Sequence, residues 1–457
     1  YIGNDPSSTT STAEYNLAVG TTALDALTYA DGNVAIGYDA MTATTTGSYN
    51  VGIGLYALQS HTTGSGNMAI GYGALKSNTT AASNTAIGYE SMTNNTGSGN
   101  TALGYSALRS GSSGATGSKN IALGYNSLGL NTSGSNNIAS GYTALYRNTT
   151  GDDNIGVGYN SLYMNTTGGN NIAIGNGALY GKDIESHHLA IGVDALAANT
   201  TGHQNTAIGY DALTLNTTGL YNQASGVEAM RSNTTGSFNT ANGYVSLGSN
   251  TTGARNTGTG YQAGYGTTTG NDNTSIGWET GNVITTGSQN VTIGSGSDPG
   301  AVDASNQIVI GYGATGLGDN YAVIGNSSID RLYAAQDGAA VLYANSTIVA
   351  SDRRVKKDIQ DLGYGLDYIN SLRPVSYYKK DPKDYPQELR DKFYPDGKVR
   401  ELSDDQKRLR VGFIAQDVKR VNDEMGLENN VVSVDEDGFH RMDYEKIVVP
   451  LVKAVQE

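Results

Sequence analysis

The sequence predicts a mainly β fold: a trimeric parallel β-solenoid or β-roll, followed by a small α+β domain that ends in a helix. The phrase Asn-x-Ala-Ile-Gly-Tyr-x-Ala-Leu recurs through the first 325 residues of the 457-residue chain, and all but six of the 62 glycines precede residue 351. A short fixed period is typical of stacked repeats, in which each unit covers the apolar face of the next. The remainder of the chain is rich in charge and proline instead.

The glycine of the phrase marks the period. It occurs 19 times, and 15 of the 18 intervals are 17 residues long. The positions are Gly20, Gly37, Gly54, Gly71, Gly88, Gly104, Gly124, Gly141, Gly158, Gly175, Gly192, Gly209, Gly226, Gly243, Gly260, Gly277, Gly294, Gly311 and Gly325. We therefore expect a repeat fibre over residues 1–328, a neck or cap over 329–350 and a separate domain over 351–457.

The repeat from Asn205 to Gly219 illustrates one coil. Its Thr, Ile and Tyr favour strands, whereas Asn-Thr-Thr-Gly is typical of turns. Alternation along the strand places Ala207 and Gly209 on the face opposite the Thr, Ile and Tyr. We expect the glycine to hold a backbone conformation or a close contact that a Cβ would prevent. We also expect the asparagines of successive coils to form a ladder.

Thin coils bury little apolar surface, so a single chain would be marginally stable. Each coil offers about one Ile, one Leu or Met and one Tyr besides its alanines. Stacked at about 4.8 Å, 19 coils would extend roughly 90 Å. We expect three chains to associate around the Ala/Gly face, which would supply the missing burial.

Composition excludes several classes of protein. The net charge of −14 argues against a nucleic-acid partner, because phosphate binding needs clustered Lys and Arg. The absence of cysteine excludes disulfides and thiolate metal sites. No apolar run approaches 18 residues, so we expect no membrane insertion. We expect no cofactor and no metal.

Two motifs of the repeats invite specific hypotheses. Asn-Thr-Thr, as at Asn148, matches the N-glycosylation sequon but is expected simply to form the turn of the repeat. His187 and His188, with Asp183 and Glu185, could bind a metal, although an exposed loop is the simpler interpretation.

The repeats resemble the head repeats of trimeric autotransporter adhesins, which are left-handed parallel β-rolls in trimers, and also repeats of tail-fibre proteins. The resemblance rests on the Asn-x-Ala-Ile-Gly phrase. The 17-residue period is longer than the unit of the adhesin heads. The fold is therefore implied more firmly than the loop geometry.

The segment beyond residue 350 alternates short helices and strands. Apolar residues from Ile359 to Leu372 have helical spacing, with the first half weakened by two glycines. Strands are expected at 375–378 and 431–434, a helix entered at 411–418, and a polar loop or helical excursion at 381–408. From Asp443 an amphipathic helix runs to the end, and Pro450 should kink or restart it.

Three motifs in this segment resemble the intramolecular chaperone of endosialidases and of other phage tail spikes and fibres, which is also classed as a serine peptidase family. They begin at Ser351 (Ser-Asp-Arg-Arg-Val-Lys-Lys-Asp-Ile), Gly412 (Gly-Phe-Ile-Ala-Gln-Asp-Val) and Asp443 (Asp-Tyr-Glu-Lys-Ile-Val-Val-Pro-Leu). Members trimerise, template the folding of the fibre ahead of them and often cut themselves off.

The resemblance implies that the cut falls between Ala350 and Ser351, with Ser351 as nucleophile, Lys356 as general base and Asp352 positioning the loop or tuning the lysine. A lysine of lowered pKa can activate a hydroxyl in this way. Without the motif, the same residues would be interpreted as an ordinary helix start, with Ser351 or Asp352 as N-cap.

The leading functional hypothesis is a homotrimeric tail fibre of a virion or phage-like particle. Its partners would be its own copies, a baseplate and a host-surface receptor, expected to be a glycan. A bacterial trimeric surface adhesin, located on the cell, is the alternative. A polysaccharide-degrading tail spike is a third class, which would need paired carboxylates in a groove.

Overall fold

The computed structural model describes residues 2–3, 13–111, 114–181, 186–329, 358–394, 402, 407–428, 431–434 and 438–457. The chain divides into two compact units, residues 1–330 and 331–457. We call them the repeat unit and the C-terminal unit, and each is described by itself.

The repeat unit is a parallel β-solenoid of 20 strands, each paired with the next along the chain. The strands are Ile2–Gly3 (β1), Leu17–Gly20 (β2), Val34–Ile36 (β3), Val51–Ile53 (β4), Met68–Ile70 (β5), Thr85–Ile87 (β6), Thr101–Leu103 (β7), Ile121–Leu123 (β8), Ile138–Ser140 (β9), Ile155–Val157 (β10), Ile172–Ile174 (β11), Leu189–Ile191 (β12), Thr206–Ile208 (β13), Gln223–Ser225 (β14), Thr240–Asn242 (β15), Thr257–Thr259 (β16), Thr274–Ile276 (β17), Val291–Ile293 (β18), Ile308–Ile310 (β19) and Ala322–Ile324 (β20). The predicted solenoid is confirmed.

The register of the strands follows the period of the sequence. Ile172 pairs with Leu189, one repeat further on. The first strand adds a rung that the count of repeat glycines missed, since Ile2 pairs with Val19 of β2.

The alanine face of each strand lies inside the coil of its own chain. Ala207 is completely buried, as are Ala212 and Leu213 on the following turn. The expectation that chains meet around the Ala/Gly face is therefore wrong, because residues of the same chain already cover it. The buried Leu and Met of successive coils form one continuous core. Burying each leucine stabilises the folded state by about 2 kcal/mol.

The repeat glycine meets both requirements expected of it. Gly209 has φ +138°, a backbone conformation that residues with a side chain rarely adopt. A Cβ at this position would lie 2.3 Å from the carbonyl oxygen of Gly226 in the next coil. Stacking of the coils therefore requires glycine here.

Two ladders of buried asparagines run along the core. The strand-side ladder immediately precedes the strands, and the Nδ2 of Asn154 there donates to the carbonyl of Gly168 at 2.8 Å. The backbone N–H of Asn154 donates to Oδ1 of Asn137 at 2.9 Å. The buried members are Asn33, Asn50, Asn67, Asn84, Asn100, Asn120, Asn137, Asn154, Asn171, Asn205, Asn222, Asn239, Asn256, Asn273 and Asn290.

The turn-side ladder consists of the Asn-Thr-Thr asparagines and their equivalents. The Nδ2 of Asn148 donates to Oδ1 of Asn131 and to the carbonyl of Gly151, both at 2.9 Å. Its buried members are Asn78, Asn95, Asn131, Asn148, Asn165, Asn199, Asn216, Asn233 and Asn250. A buried, hydrogen-bonded amide is closed to glycosylation in the folded coil, so the sequon is the turn of the repeat.

The C-terminal unit is a small α+β structure, as predicted. Its helices are Leu366–Ser371 (α1), Gln387–Phe393 (α2), Ala415–Glu424 (α3) and Val448–Gln456 (α4), with 3₁₀ turns at Pro382–Asp384 and Tyr444–Ile447. Its strands are Val375–Tyr377 (β21), Arg410–Gly412 (β22), Val432–Val434 (β23) and His440–Met442 (β24), which pair antiparallel as β21–β22 and β23–β24.

Two boundaries in this unit refine the expectations from sequence. α1 begins only at Leu366, because Gly363 and Gly365 precede it and disfavour an earlier start. At the other end, a 3₁₀ turn gives way to α4, and the buried Pro450 occupies the first turn of that helix. A proline is tolerated there because the first N–H groups of a helix have no intrahelical partner.

Candidate functional surfaces

The residues expected to carry self-cleavage lie outside the described residues. These are Ala350 and Ser351 at the expected bond, with Asp352 and Lys356. Their predicted roles therefore remain predictions.

The second and third motifs of the C-terminal unit contact one another. The hydroxyl of Tyr444 lies 2.9 Å from the backbone N–H of Phe413, from which it accepts a hydrogen bond. A Cβ on Gly412 would lie 2.4 Å from that hydroxyl oxygen, so the glycine makes room for the tyrosine. The carboxylate of Asp443 accepts from the N–H of Glu445 and caps the turn that precedes α4.

The core of the C-terminal unit is small. Tyr368 of α1 is completely buried and lies in a cluster with Val418 and Val421 of α3 and with Val432 of β23. By contrast, α4 exposes most of its apolar side chains. The exposed set is Val448, Val449, Leu451, Val452 and Val455.

Comparison with known protein families agrees with the resemblance inferred from the sequence motifs. Residues 351–427 match the chaperone-of-endosialidase family. The match includes the first two motifs, together with α1, α2 and α3. A search of curated proteins finds no match to the chain. Within the described ranges, no helix is long and apolar enough to cross a membrane.

The histidine pair does not form a metal site with the residues around it that the structure describes. His188 is buried and occupies a rung of the strand-side ladder, where its Nδ1 accepts from the N–H of Asn205 at 3.3 Å. Burial lowers the pKa of His188 to about 4. The expectation of an exposed loop holds for His187 but is wrong for His188, and Asp183 and Glu185 lie outside the described residues.

Stacked aromatic rings line the outside of the solenoid, directly after the repeat glycine. In the longest run, the rings of Tyr142 and Tyr159 lie 5.3 Å apart and nearly parallel. The continuous stack contains Tyr72, Tyr89, Tyr105, Tyr125, Tyr142 and Tyr159. Because each ring covers its neighbour, free ring faces occur where a stack ends.

Three further stacks end on exposed rings, one of them formed by Tyr221 and Phe238. Tyr146, Tyr163 and Tyr180 form another stack. The third ends at Trp278, whose ring lies 4.1 Å from that of Tyr261 and is 53% exposed. The next coil carries Ser295 at the equivalent position, so this column of stacked rings ends at the indole within the described repeats.

Sequence reasoning missed a column of carboxylates two residues after the repeat glycine. Asp194, Asp211 and Glu228 occupy it in three successive coils. Burial, together with the charge of Asp211, raises the pKa of Asp194. These carboxylates occupy the same position in consecutive repeats, and this regularity in the sequence could have identified them. The described residues contain no group of three or more His, Asp or Glu that could hold a metal ion.

A second exposed feature is the outward face of the strands. We call the first and third residues of β3–β20 the strand stripe; 25 of these 36 positions are Val, Ile, Leu, Met or Ala, and none is charged. Ile174 is 40% exposed and Leu103 50% exposed. The charges of the repeats lie instead on the turns, as in the pair formed by Arg255 and Asp272 at 2.6 Å.

Proposed function

We propose that the chain forms a homotrimeric tail fibre and that residues 351–457 act as an intramolecular chaperone guiding its assembly. The observation that carries the proposal is the position of the chaperone-of-endosialidase match, which follows a 20-strand parallel solenoid in the same chain. Parallel strands that pair across many residues fold slowly and expose aggregation-prone surface meanwhile. A trimerising template at the end of the chain answers this need.

Exposed apolar side chains in both units support self-association. The strand stripe extends along the repeat unit, and α4 exposes five aliphatic side chains in the C-terminal unit. Monomeric proteins rarely leave contiguous apolar patches of this extent open to water. Association between copies would cover them.

Deleting residues 351–457 tests the chaperone. The truncated chain should be insoluble or monomeric, whereas the full chain should be a trimer by light scattering. The full chain carrying Ser351→Ala is the matched control, because it keeps the domain whether or not cleavage occurs. A soluble trimer of residues 1–350 would remove the chaperone from the proposal, and a monomeric full chain would remove the trimer.

Host attachment is the proposed role of the repeat unit, with a surface glycan as receptor and a baseplate at the other end of the fibre. The exposed rings where aromatic stacks end, at Tyr159, Tyr180 and Trp278, support it. Aromatic side chains combine an apolar face with a polar edge, which suits the mixed surface of sugars. This function places the protein on a virion or in the extracellular space.

An array of bacterial surface glycans tests attachment. Binding of the full trimer should fall at least tenfold in Trp278→Ala and be unchanged in Tyr29→Ala, an exposed tyrosine outside the stacks. Loss of binding in both variants, or in neither, would contradict a role for the stack end.

Self-cleavage at the Ala350–Ser351 bond is the third element of the proposal. The family match begins at residue 351, directly after the expected bond. The hydroxyl oxygen of Ser351 would attack the carbonyl carbon of Ala350 while Lys356 takes the hydroxyl proton. The C–N bond would then break as the Ser351 nitrogen takes up that proton, and water would hydrolyse the resulting ester. Asp352 would position the loop or tune the lysine. A cut here would release the chaperone from the completed fibre.

A further inference from the structure

Because each chain covers its own alanine face, a different surface of the repeat unit must meet the other copies of the proposed trimer. We infer that the strand stripe is the surface through which three copies of this chain pack around a common axis. This inference rests on the proposed trimer and identifies the contact face.

Sheet physics requires a cover for the stripe. Parallel sheets occur almost only with both faces buried. Here the inner face is buried by the chain's own Ala and Leu, as at Ala173, while on the outer face of the same strand Ile172 is half-buried and Ile174 is exposed. Strands that face water on one side usually alternate apolar with polar residues. This strand instead has Ile at both outward positions, as expected when a second surface packs against it.

The lack of charge identifies another copy as the partner. Lys, Glu, Arg and Asp are the residues typically found on surfaces that stay open to water, and no strand-stripe position carries one of them. The stripe is one strand wide and repeats along the whole solenoid, and neither a lipid surface nor an unrelated protein has this repeat. A second copy has the same repeat, so its apolar rungs coincide with these at every level when the chains run parallel.

The area agrees with a specific interface. Eighteen strands spaced by about 4.8 Å extend roughly 85 Å, and two outward side chains per strand cover a width of about 10 Å. The stripe therefore presents on the order of 850 Å² per copy, or roughly 2,500 Å² over three copies, which lies within the range buried by permanent assemblies.

The stripe is not uniform, and its composition predicts where the contact is tightest. The outward positions of β14, β15 and β16 are all polar, with Gln223 and Ser225 at the start of this segment. The rungs from β8 to β12 are almost entirely aliphatic. The strongest packing between copies should therefore lie around Ile155, Ile172 and Ile174.

Cysteine cross-linking tests the inference without background disulfides, because the chain has no cysteine of its own. In the full chain, Ile174→Cys lies on the stripe, and Thr167→Cys lies on an exposed turn of a neighbouring coil as the control. Near a three-fold axis the first should give disulfide-linked pairs on a non-reducing gel, since bridging needs Cβ atoms within about 4 Å. The second should stay monomeric on the same gel.

Charge insertion gives an independent readout. Ile174→Lys should reduce the mass measured by light scattering to one third while far-UV circular dichroism keeps its β signal, and Thr167→Lys should leave the trimer intact. A trimer in which the Ile174→Cys variant fails to cross-link, or in which Ile174→Lys is tolerated, would overturn the stripe as the interface. A parent chain that is itself monomeric would instead refute the proposed trimer.

Discussion

The imidazole of His188 replaces an asparagine in the strand-side ladder, and its Nδ1 accepts a hydrogen bond from the backbone N–H of Asn205 at 3.3 Å. A second histidine, His61, is completely buried on the turn-side ladder. Burial lowers the pKa of each imidazole to about 4. Both rings are therefore neutral in the folded chain at neutral pH.

Acid should destabilise the repeat unit through these two residues. Their pKa is lower in the folded chain than the ordinary 6.5, so the unfolded chain binds protons more tightly between these values. Their contribution to stability is complete above pH 6.5 and is lost as the pH falls to about 4. A shift of this size corresponds to roughly 3 kcal/mol per histidine. Thermal unfolding of His188→Asn, measured at pH 7 and pH 4.5, should show a smaller loss in acid than the parent.

The exposed neighbour provides the control for that experiment. His187→Asn should leave the acid sensitivity of the parent unchanged. Equal losses in His188→Asn and the parent would show that the buried ring does not set the pH dependence.

Removing one rung of the strand-side ladder should unfold the coils around it. Asn154→Ala removes the side-chain acceptor of the Asn171 N–H and one of the two hydrogen bonds to the carbonyl of Gly168, which still accepts from Asn165. One unpaired buried polar group costs about 1–3 kcal/mol, and we expect the free energy of unfolding to fall by about this amount. Hydrogen exchange at the Asn171 amide should accelerate accordingly. Thr167→Ala, on an exposed turn, should leave that amide protected, and equal protection in both variants would refute the ladder as a stabilising element.

Two glycine variants separate close packing from backbone conformation. Gly209→Ala meets both a positive φ and the carbonyl of Gly226, and should prevent the next coil from stacking. Gly66 also has a positive φ, +69°, but a Cβ there meets no atom within 4 Å. Gly66→Ala should therefore cost only about 1 kcal/mol. Similar thermal unfolding of both variants would show that contact between coils is not what requires Gly209.

The period of the sequence was enough to predict the solenoid and its register, because strands one repeat apart have the same place in successive coils. It was also enough to predict the ladders, since identical side chains then meet at every level. Prediction failed at the inner wall of the coil. Leu213 has φ +52°, and leucine disfavours that conformation, so propensity gave no sign that this residue turns inward, where it is completely buried.

Because the inward turn of Leu213 was not predicted, the sequence pointed to the wrong contact face. Once Ala212 and Leu213 are recognised as the opposite wall, the alanines of the strand are already buried within one chain. The pairing of Asp194 with Asp211 was also overlooked, because carboxylates far apart in sequence become neighbours only through stacking. In the C-terminal unit the motifs themselves were sufficient, and they predicted the family now matched at residues 351–427.

Substitution of the predicted Ser-Lys dyad tests self-cleavage. If Ser351 cuts the bond that precedes it, the parent chain should give two bands on a denaturing gel, and Ser351→Ala should give one full-length band. Lys356→Ala should abolish the cut as well, because the serine hydroxyl would lose its base. Lys357→Ala is the matched control, since it removes the adjacent lysine of the same motif and should still be cut. Cleavage that persists in Ser351→Ala would exclude the serine, and loss in Lys357→Ala alone would assign the base to the other lysine.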